Sequence, residues 1–206
     1  MNPTQAIPKI SGIILAAGLS TRMGEPKQLL PFGDSTIIET VIGNLLESKL
    51  SEVIVVVGHE AEKVQAHIQH KPVKIVFNPD YHEGMLTSAQ CGVEAISASA
   101  DAFAMTLVDL PLITPDLVNL VIDTYVQTAG GIAVPSYNYR RGHPVIFNRH
   151  YAADILALDG DSGGVRSHFQ KYADDIHYVT VDTDRVLTDI DYREDYEEAL
   201  RKSVSA

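Results

Sequence analysis

Short apolar runs alternate with amphipathic stretches along most of the chain. Runs at residues 10–15, 53–57, 73–77, 102–108, 131–134, 145–147 and 177–181 have the length and the β-branched content of strands. Between them lie helical patterns. Thr36-Ile-Ile-Glu39 is a capping box that opens a helix to about residue 48. Further helices are expected over about 60–69 and 87–97. Thr114-Pro115-Asp116 places an N-cap before a proline at the first helical position, and that helix runs to about 127. Gly160-Asp161-Ser-Gly-Gly164-Val-Arg166 begins another helix, and a last one covers about 192–203. Alternation of this kind predicts an α/β protein. It reads as a single-domain, Rossmann-like three-layer α/β/α fold with a mostly parallel sheet. No repeat, low-complexity tract or linker divides residues 1–206, and 135–144 reads as an inserted loop.

In such sheets ligands bind beyond the C-terminal ends of the strands, and chemistry-bearing residues fall at several of these ends. The first strand runs into Leu15-Ala-Ala-Gly18-Leu-Ser20-Thr-Arg22-Met-Gly24-Glu-Pro-Lys27. Small residues there let backbone N–H groups approach a polyanion, and two cations stand among them. Backbone amides around 17–24 suit β- and γ-phosphates. Arg22 suits bidentate phosphate contact, and Lys27 suits a point charge near an α-phosphate. The glycine spacing is not that of a Walker A loop.

A second cluster, Asn78-Pro-Asp-Tyr-His82-Glu-Gly84-Met-Leu-Thr87-Ser88, joins a strand to a helix. Gly84 permits tight backbone geometry, Thr87 or Ser88 caps the helix, and His82 reads as a solvent residue. A third, Thr106-Leu-Val108-Asp109-Leu-Pro111, ends an apolar strand in a carboxylate. Asp109 either caps the turn or holds Mg²⁺ against triphosphate oxygens, an ion that needs only one or two carboxylates besides phosphate. A fourth, Asp189-Ile-Asp191-Tyr192-Arg193-Glu194-Asp195, puts Asp189 and Asp191 on one side of an extended chain. Either carboxylate would complete a metal site with Asp109, and Asp191 with Glu194 also forms a capping arrangement.

Arg140 and Arg141 form either a solvated loop tip or a clamp for an anionic co-substrate. His143, between Gly142 and Pro144, is a candidate substrate contact. Around Gly160–Gly164, free helical N–H groups and Arg166 suit a phosphate, although Asp161 also fits a plain N-cap.

Sixteen basic and 27 acidic residues give a net charge of −11, which argues against a nucleic-acid binder. Local cations with a divalent ion still admit a small polyanion. No apolar run approaches the ~20 residues needed to cross a bilayer. The first ten residues lack the basic and apolar segments of a secretory signal. Cys91 is the single cysteine, so an intrachain disulfide is impossible. These features point to a cytoplasmic protein without a membrane partner.

Residues 15–31 match every fixed position of L-A-A-G-x-S-x-R-M-G-x-x-K-x-L-L-P, so the chain resembles the MobA/MocA-like nucleotidyltransferases. The resemblance extends over nearly the whole length in five segments of matching order. It implies a nucleotide-diphospho-sugar transferase type of fold, with nucleotide binding over about 10–110 and acceptor binding over about 130–195. It places Leu15, Ala16, Ala17, Gly18, Arg22, Lys27, Gly84 and Ser88 around the nucleotide. The family's G-D-x-P segment makes Asp109 a metal ligand, although this chain has Val108 in place of glycine. Its D-I-D-T-P-E-D-Y/F segment favours Asp191 as the second ligand, with Asp189 as the alternative; Tyr192 and Arg193 replace Thr-Pro. The G-H-P and G-D-x-G-x-R segments bring Gly142, His143 and Arg166 to the acceptor, with Arg140 and Arg141 nearby.

The implied reaction is Mg²⁺-dependent transfer of CMP from CTP to the terminal phosphate of molybdopterin, with Lys27, Arg22 and Asp109 as the catalytic set. Related guanylyltransferases carry Leu-Ala-Gly-Gly, so Ala17 leans toward cytidine. Guanylyl transfer, another phosphorylated acceptor, and a non-catalytic nucleotide-binding maturation protein are the alternatives. Transient docking to a molybdoenzyme apoprotein or chaperone follows by analogy.

Overall fold

The computed structural model describes residues 8–128, 131–160 and 164–204, with the side chains of Arg166, Ser167, His168 and Val204 outside that description. In chain order its elements are β1 (Ile10–Ala16), β2 (Pro31–Phe32), β3 (Ser35–Thr36), α1 (Ile37–Leu46), β4 (Glu52–Val57), α2 (Ala61–Ile68), β5 (Lys74–Phe77) and α3 (Met85–Glu94). They continue as β6 (Ala102–Leu107), α4 (Pro115–Gln127), β7 (Ile132–Tyr137), β8 (Arg140–Arg141), β9 (Val145–Asn148), α5 (Ala152–Leu156), α6 (Val165–Lys171), β10 (Ile176–Thr180) and α7 (Arg193–Val204).

The main sheet has the order β10-β7-β9-β6-β1-β4-β5. β1 pairs in parallel with β4 on one side and β6 on the other. β9 runs antiparallel to both β6 and β7. The sheet is therefore mostly parallel and flanked by helices, as the alternation of runs requires. All seven residues of β1 are buried because both faces are covered. Ile10, Ile14 and Ala16 pack with Val53, Val55 and Val57 against α1, α2 and α4. Ile13 and Leu15 pack with Ile54 and Val56 against α3 and, farther along the sheet, α5. The period of two along each strand divides one continuous apolar run between two cores.

A third, smaller core positions the site. Leu30, Phe32, Ile37, Leu112, Ile190, Tyr196 and Ala199 are buried together. Each large apolar side chain so buried contributes about 1.5–3 kcal/mol. This cluster anchors the end of the opening loop, the turn after β6 and the start of α7, which carry Lys27, Asp109 and Asp191.

The capping box at Thr36 and Glu39 forms as the sequence predicts, and Thr114 caps α4 through the Leu117 N–H at 3.4 Å. Three expectations are corrected. α3 begins at Met85 with Gly84 as its N-cap at φ 112°, not at Thr87 or Ser88. Residues 135–144 are not a free loop: β7 continues to Tyr137 and turns through Asn138 and Tyr139, at φ 49° and 63°, into β8. At α7 it is Asp195 Oδ2, not Glu194, that accepts the Asp191 and Tyr192 N–H groups, at 3.1 and 2.7 Å. The β2–β3 hairpin and α5 were not expected; each is too short to show a period. Among the described residues no helix is long and apolar enough to cross a membrane.

Candidate active site

β1 and β6 end side by side. The Val108 N–H donates to the Leu15 carbonyl at 3.1 Å, which carries the pairing one residue past β6 and sets Asp109 at the mouth of the sheet. Val108 itself belongs to the core, which absorbs the bulk that replaces the family's glycine. The Ile190 N–H donates to the Asp109 carbonyl at 3.0 Å and brings the 189–191 segment alongside. The opening loop turns at Ser20, at φ 50°, a left-handed conformation. The Ser20 hydroxyl accepts the Lys27 N–H at 3.2 Å and donates to Gln28 Oε1 at 3.3 Å. These bonds fold the loop back and aim Lys27 at the carboxylates.

The Lys27 ammonium donates to Asp109 Oδ2 at 2.6 Å, to the Ile190 carbonyl at 2.7 Å and to Asp191 Oδ1 at 3.1 Å. An ammonium has three donors, and here all three are used. Burial opposes the charge, but attraction to Asp109 and the bonds to both carboxylates outweigh it and hold the Lys27 pKa above its ordinary value. Lys27 therefore carries its charge throughout the neutral range. Arg22 Nη1 reaches the other oxygen of Asp191 at 2.5 Å. Opposite charges from residues far apart in sequence thus converge at one point.

Asp109 Oδ1 is buried and has no hydrogen-bond partner among the described residues. A buried carboxylate oxygen without a partner carries a desolvation cost that a cation removes. Asp109 with Asp191 accordingly fits a Mg²⁺-like ion, which takes oxygen ligands and keeps waters or phosphate oxygens for the rest. Among the described residues no three His, Cys, Asp or Glu side chains form a ready cluster. The ion would depend on substrate for part of its shell. Asp189 is close enough for the charges of Asp109 and Asp191 to add to burial in lifting its carboxyl above the usual range.

Beside these charges opens a cleft of about 390 Å³, within the size range of small-molecule sites. Leu15, Ala17, Gly18, Arg22, Lys27, Gly84, Ser88, Asp109 and Asp191 line it. Ala16 does not; the residue is 1% exposed and packs in the core beneath. Ser88 is buried at the cleft wall, where its hydroxyl accepts a 2.9 Å bond from Asn78 Nδ2. That leaves the Ser88 O–H free to donate. Asn78 is fully buried and also bonds Thr87 and the Asp80 N–H, so it fixes the whole 78–88 segment.

Sequence reading missed Gly58 and Tyr81. A Cβ at Gly58 would lie 2.5 Å from Tyr81 Cβ and 2.7 Å from Ala17 Cβ, so only glycine lets the chain leaving β4 pass behind the cleft wall. No local pattern marks this, because the neighbours are distant in sequence. Gly58→Ala is expected to cost about 1–3 kcal/mol by overpacking. The melting temperature should then fall by several degrees. An unchanged midpoint in calorimetry would contradict the packing.

Of the residues read as acceptor contacts, Arg140, Arg141, Gly142 and His143 do not line this cleft. Arg141 donates to the Tyr178 hydroxyl through Nε at 2.9 Å and Nη2 at 2.5 Å, and lies 5.4 Å from the Phe169 ring. Arg140 is exposed on the same hairpin. Gly142 has a packing reason, since a Cβ there would meet the Val186 carbonyl at 2.5 Å. The Arg166 side chain and Asp161 lie outside the described residues.

His143 sits nearest to the chemistry. Its Nδ1 is 3.3 Å from the Met105 carbonyl, and Asp109 and Asp189 act on its charge. Burial nevertheless holds its pKa below the ordinary 6.5. The neutral ring is the form that the fold favours. Its contribution to stability is present above about pH 6.5 and is lost as pH falls through the depressed folded value. His143→Gln should flatten the fall in melting temperature between about pH 7 and 5. Identical slopes in the two proteins would contradict this.

Residues 12–176 match the MobA-like NTP transferase domain model. The chain is 29% identical over 189 residues to the molybdenum cofactor cytidylyltransferase of Escherichia coli K12, covering 91% of this chain and 93% of that one. It is 30% identical over 166 residues to the nicotine blue oxidoreductase of Paenarthrobacter nicotinovorans, covering 76% and 80%. The manganese complex of Rv0371c from Mycobacterium tuberculosis H37Rv superposes with a TM-score of 0.79 at 27% identity, covering 94% of this chain and 98% of that one. Two relatives of similar identity carry names of different chemistry, so identity alone does not assign the reaction. The fold, the opening loop and the family match together make this chain a nucleotidyltransferase of the MobA-like NTP transferase family.

Proposed function

We propose that the chain transfers CMP from CTP to the terminal phosphate of a molybdopterin-type acceptor. The acceptor oxygen forms a bond to the α-phosphorus, the bond from that phosphorus to the β-phosphate bridge breaks, and pyrophosphate leaves. One observation carries this reading: Lys27, Asp109 and Asp191 meet within hydrogen-bond distance at the edge of a cleft lined by the opening loop. Charge neutralisation and positioning are what in-line phosphoryl chemistry requires, and no covalent nucleophile is needed. Asp109 and Asp191 would hold a divalent cation, Mg²⁺ in this reading, which supplies Lewis-acid charge against the phosphate oxygens.

Lys27 fixes the separation of the two carboxylates and keeps positive charge beside the reacting phosphate. Arg22, at the outer edge of the cleft, suits the departing pyrophosphate. Ala17 and Ser88 line the cleft, where this reading seats the base, and the methyl of Ala17 where guanylyl relatives have glycine supports cytosine. Residues of about 10–110 serve the nucleotide. The acceptor approaches from the side of Asp189 and His143, within about 130–195. The name of the Escherichia coli relative supports the choice of acceptor.

The deciding experiment measures pyrophosphate release with Mg²⁺ and molybdopterin, with CTP, GTP, ATP and UTP in parallel. Release with CTP alone is expected. Release with GTP alone would move the enzyme to guanylyl transfer and show that Ala17 does not set the base. Nucleotide binding without release would remove molybdopterin as the acceptor.

A further inference from the structure

The chain departs from the family's D-I-D-T-P-E-D pattern at two adjacent positions, Tyr192 and Arg193, and both side chains reach the opening loop. The Arg22 guanidinium carbon lies 5.4 Å from the centroid of the Tyr192 ring. Arg193 Nη1 is 3.8 Å from Glu25 Oε1, and its guanidinium lies 5.2 Å from the Tyr196 ring. Asp191 accepts from Arg22. Three successive residues therefore touch the loop.

The two sides of this contact differ in how firmly they are held. The Asp191 and Tyr192 N–H groups are tied to Asp195, and Tyr196, one turn on, is buried and donates to the Pro31 carbonyl at 2.6 Å. The loop is mostly exposed between residues 18 and 26. Within it, the Met23 and Gly24 N–H groups both donate to the Ser20 carbonyl. A fixed shelf thus meets a lightly tied arginine.

We infer that Tyr192 is a positioning residue for Arg22. The substrate in this inference rests on the nucleotidyltransferase reading. A ring takes the face of a guanidinium and leaves its in-plane N–H donors available. Asp191 occupies one of those donors, and the others remain for triphosphate oxygens. Arg22 is then held at the cleft edge before nucleotide arrives, and less ordering is needed on binding. A threonine at this position has no ring to offer.

The test is a double-mutant cycle on nucleotide affinity, with CTP and GTP in parallel in Mg²⁺, together with hydrogen exchange of the apoprotein. Tyr192→Thr is expected to weaken binding about two- to fivefold. Tyr192→Phe should bind as the wild type does. In an Arg22→Ala background, Tyr192→Thr should add nothing. Exchange of the 18–26 segment should quicken in Tyr192→Thr and not in Tyr192→Phe. Wild-type affinity in Tyr192→Thr, the same loss without Arg22, or unchanged exchange would each overturn the inference. A wild-type protein that binds no nucleoside triphosphate would instead overturn the functional reading, and the exchange arm would still decide whether Tyr192 holds the loop.

Discussion

Asp109→Asn is expected to lower pyrophosphate release by about 10²–10³-fold, which is about 2.7–4 kcal/mol of transition-state stabilisation. The substitution keeps the size of the side chain and removes its charge. Two consequences follow from the geometry. The buried oxygen that has no partner among the described residues no longer belongs to an anion, so the attraction for a divalent cation falls. The shortest contact of the Lys27 ammonium, 2.6 Å, loses its anionic partner, while those to Ile190 and Asp191 remain. A loss through metal binding has a signature beyond rate. The variant should bind Mn²⁺ more weakly by paramagnetic resonance, and its residual turnover should need more Mg²⁺ to saturate than that of the wild type. Circular dichroism separates this from unfolding. Turnover with the wild-type dependence on Mg²⁺ would remove Asp109 from the site.

The sequence was most legible where function and local structure coincide. Residues 15–27 form a strand end and a turn whose chemistry is written in consecutive positions, and the structure lines one cleft with Leu15, Ala17, Gly18, Arg22 and Lys27. The two-faced burial of β1 and β4 was readable because each run is apolar at every position or nearly so. Tertiary facts were not readable. That the Lys27 ammonium is saturated by Asp109, Ile190 and Asp191 depends on a small core of residues 30–199 that folds three distant segments together. The same holds for Gly58, whose neighbours Ala17 and Tyr81 lie 41 and 23 positions away by residue number. The hairpin at Asn138 and Tyr139 escaped because its turn uses two non-glycine residues at positive φ, where turn chemistry gives a weak signal. The start of α3 was misplaced because Thr87 and Ser88 have the chemistry of caps but use it elsewhere. Thr87 bonds back to the Gly84 carbonyl at 3.0 Å, and Ser88 serves Asn78.

Lys27→Met should reduce turnover at least as far, by about 10²–10³-fold or more, and should change the response of the fold to metal. Methionine retains the length and apolar stem of lysine without its charge. Asp109 and Asp191 would then face one another with Arg22 as the remaining cation, and of these two carboxylates Arg22 touches Asp191. The Lys27 and Asp109 side chains are 14% and 13% exposed, so the missing charge is poorly replaced by water. The free protein should lose about 1–3 kcal/mol. Added Mg²⁺ or Mn²⁺ places positive charge between the same carboxylates, so it should raise the melting temperature of Lys27→Met by more than that of the wild type. In the wild type the ammonium already holds that place, and the ion must compete with it. Lys27→Arg separates charge from shape. The three acceptors converge on a single point at 2.6–3.1 Å, which suits an ammonium and not a planar fork. Lys27→Arg should therefore keep most of the stability and recover little of the turnover. Equal metal responses in Lys27→Met and the wild type, or full activity in Lys27→Arg, would show that Lys27 acts at the phosphate alone and does not organise the two carboxylates.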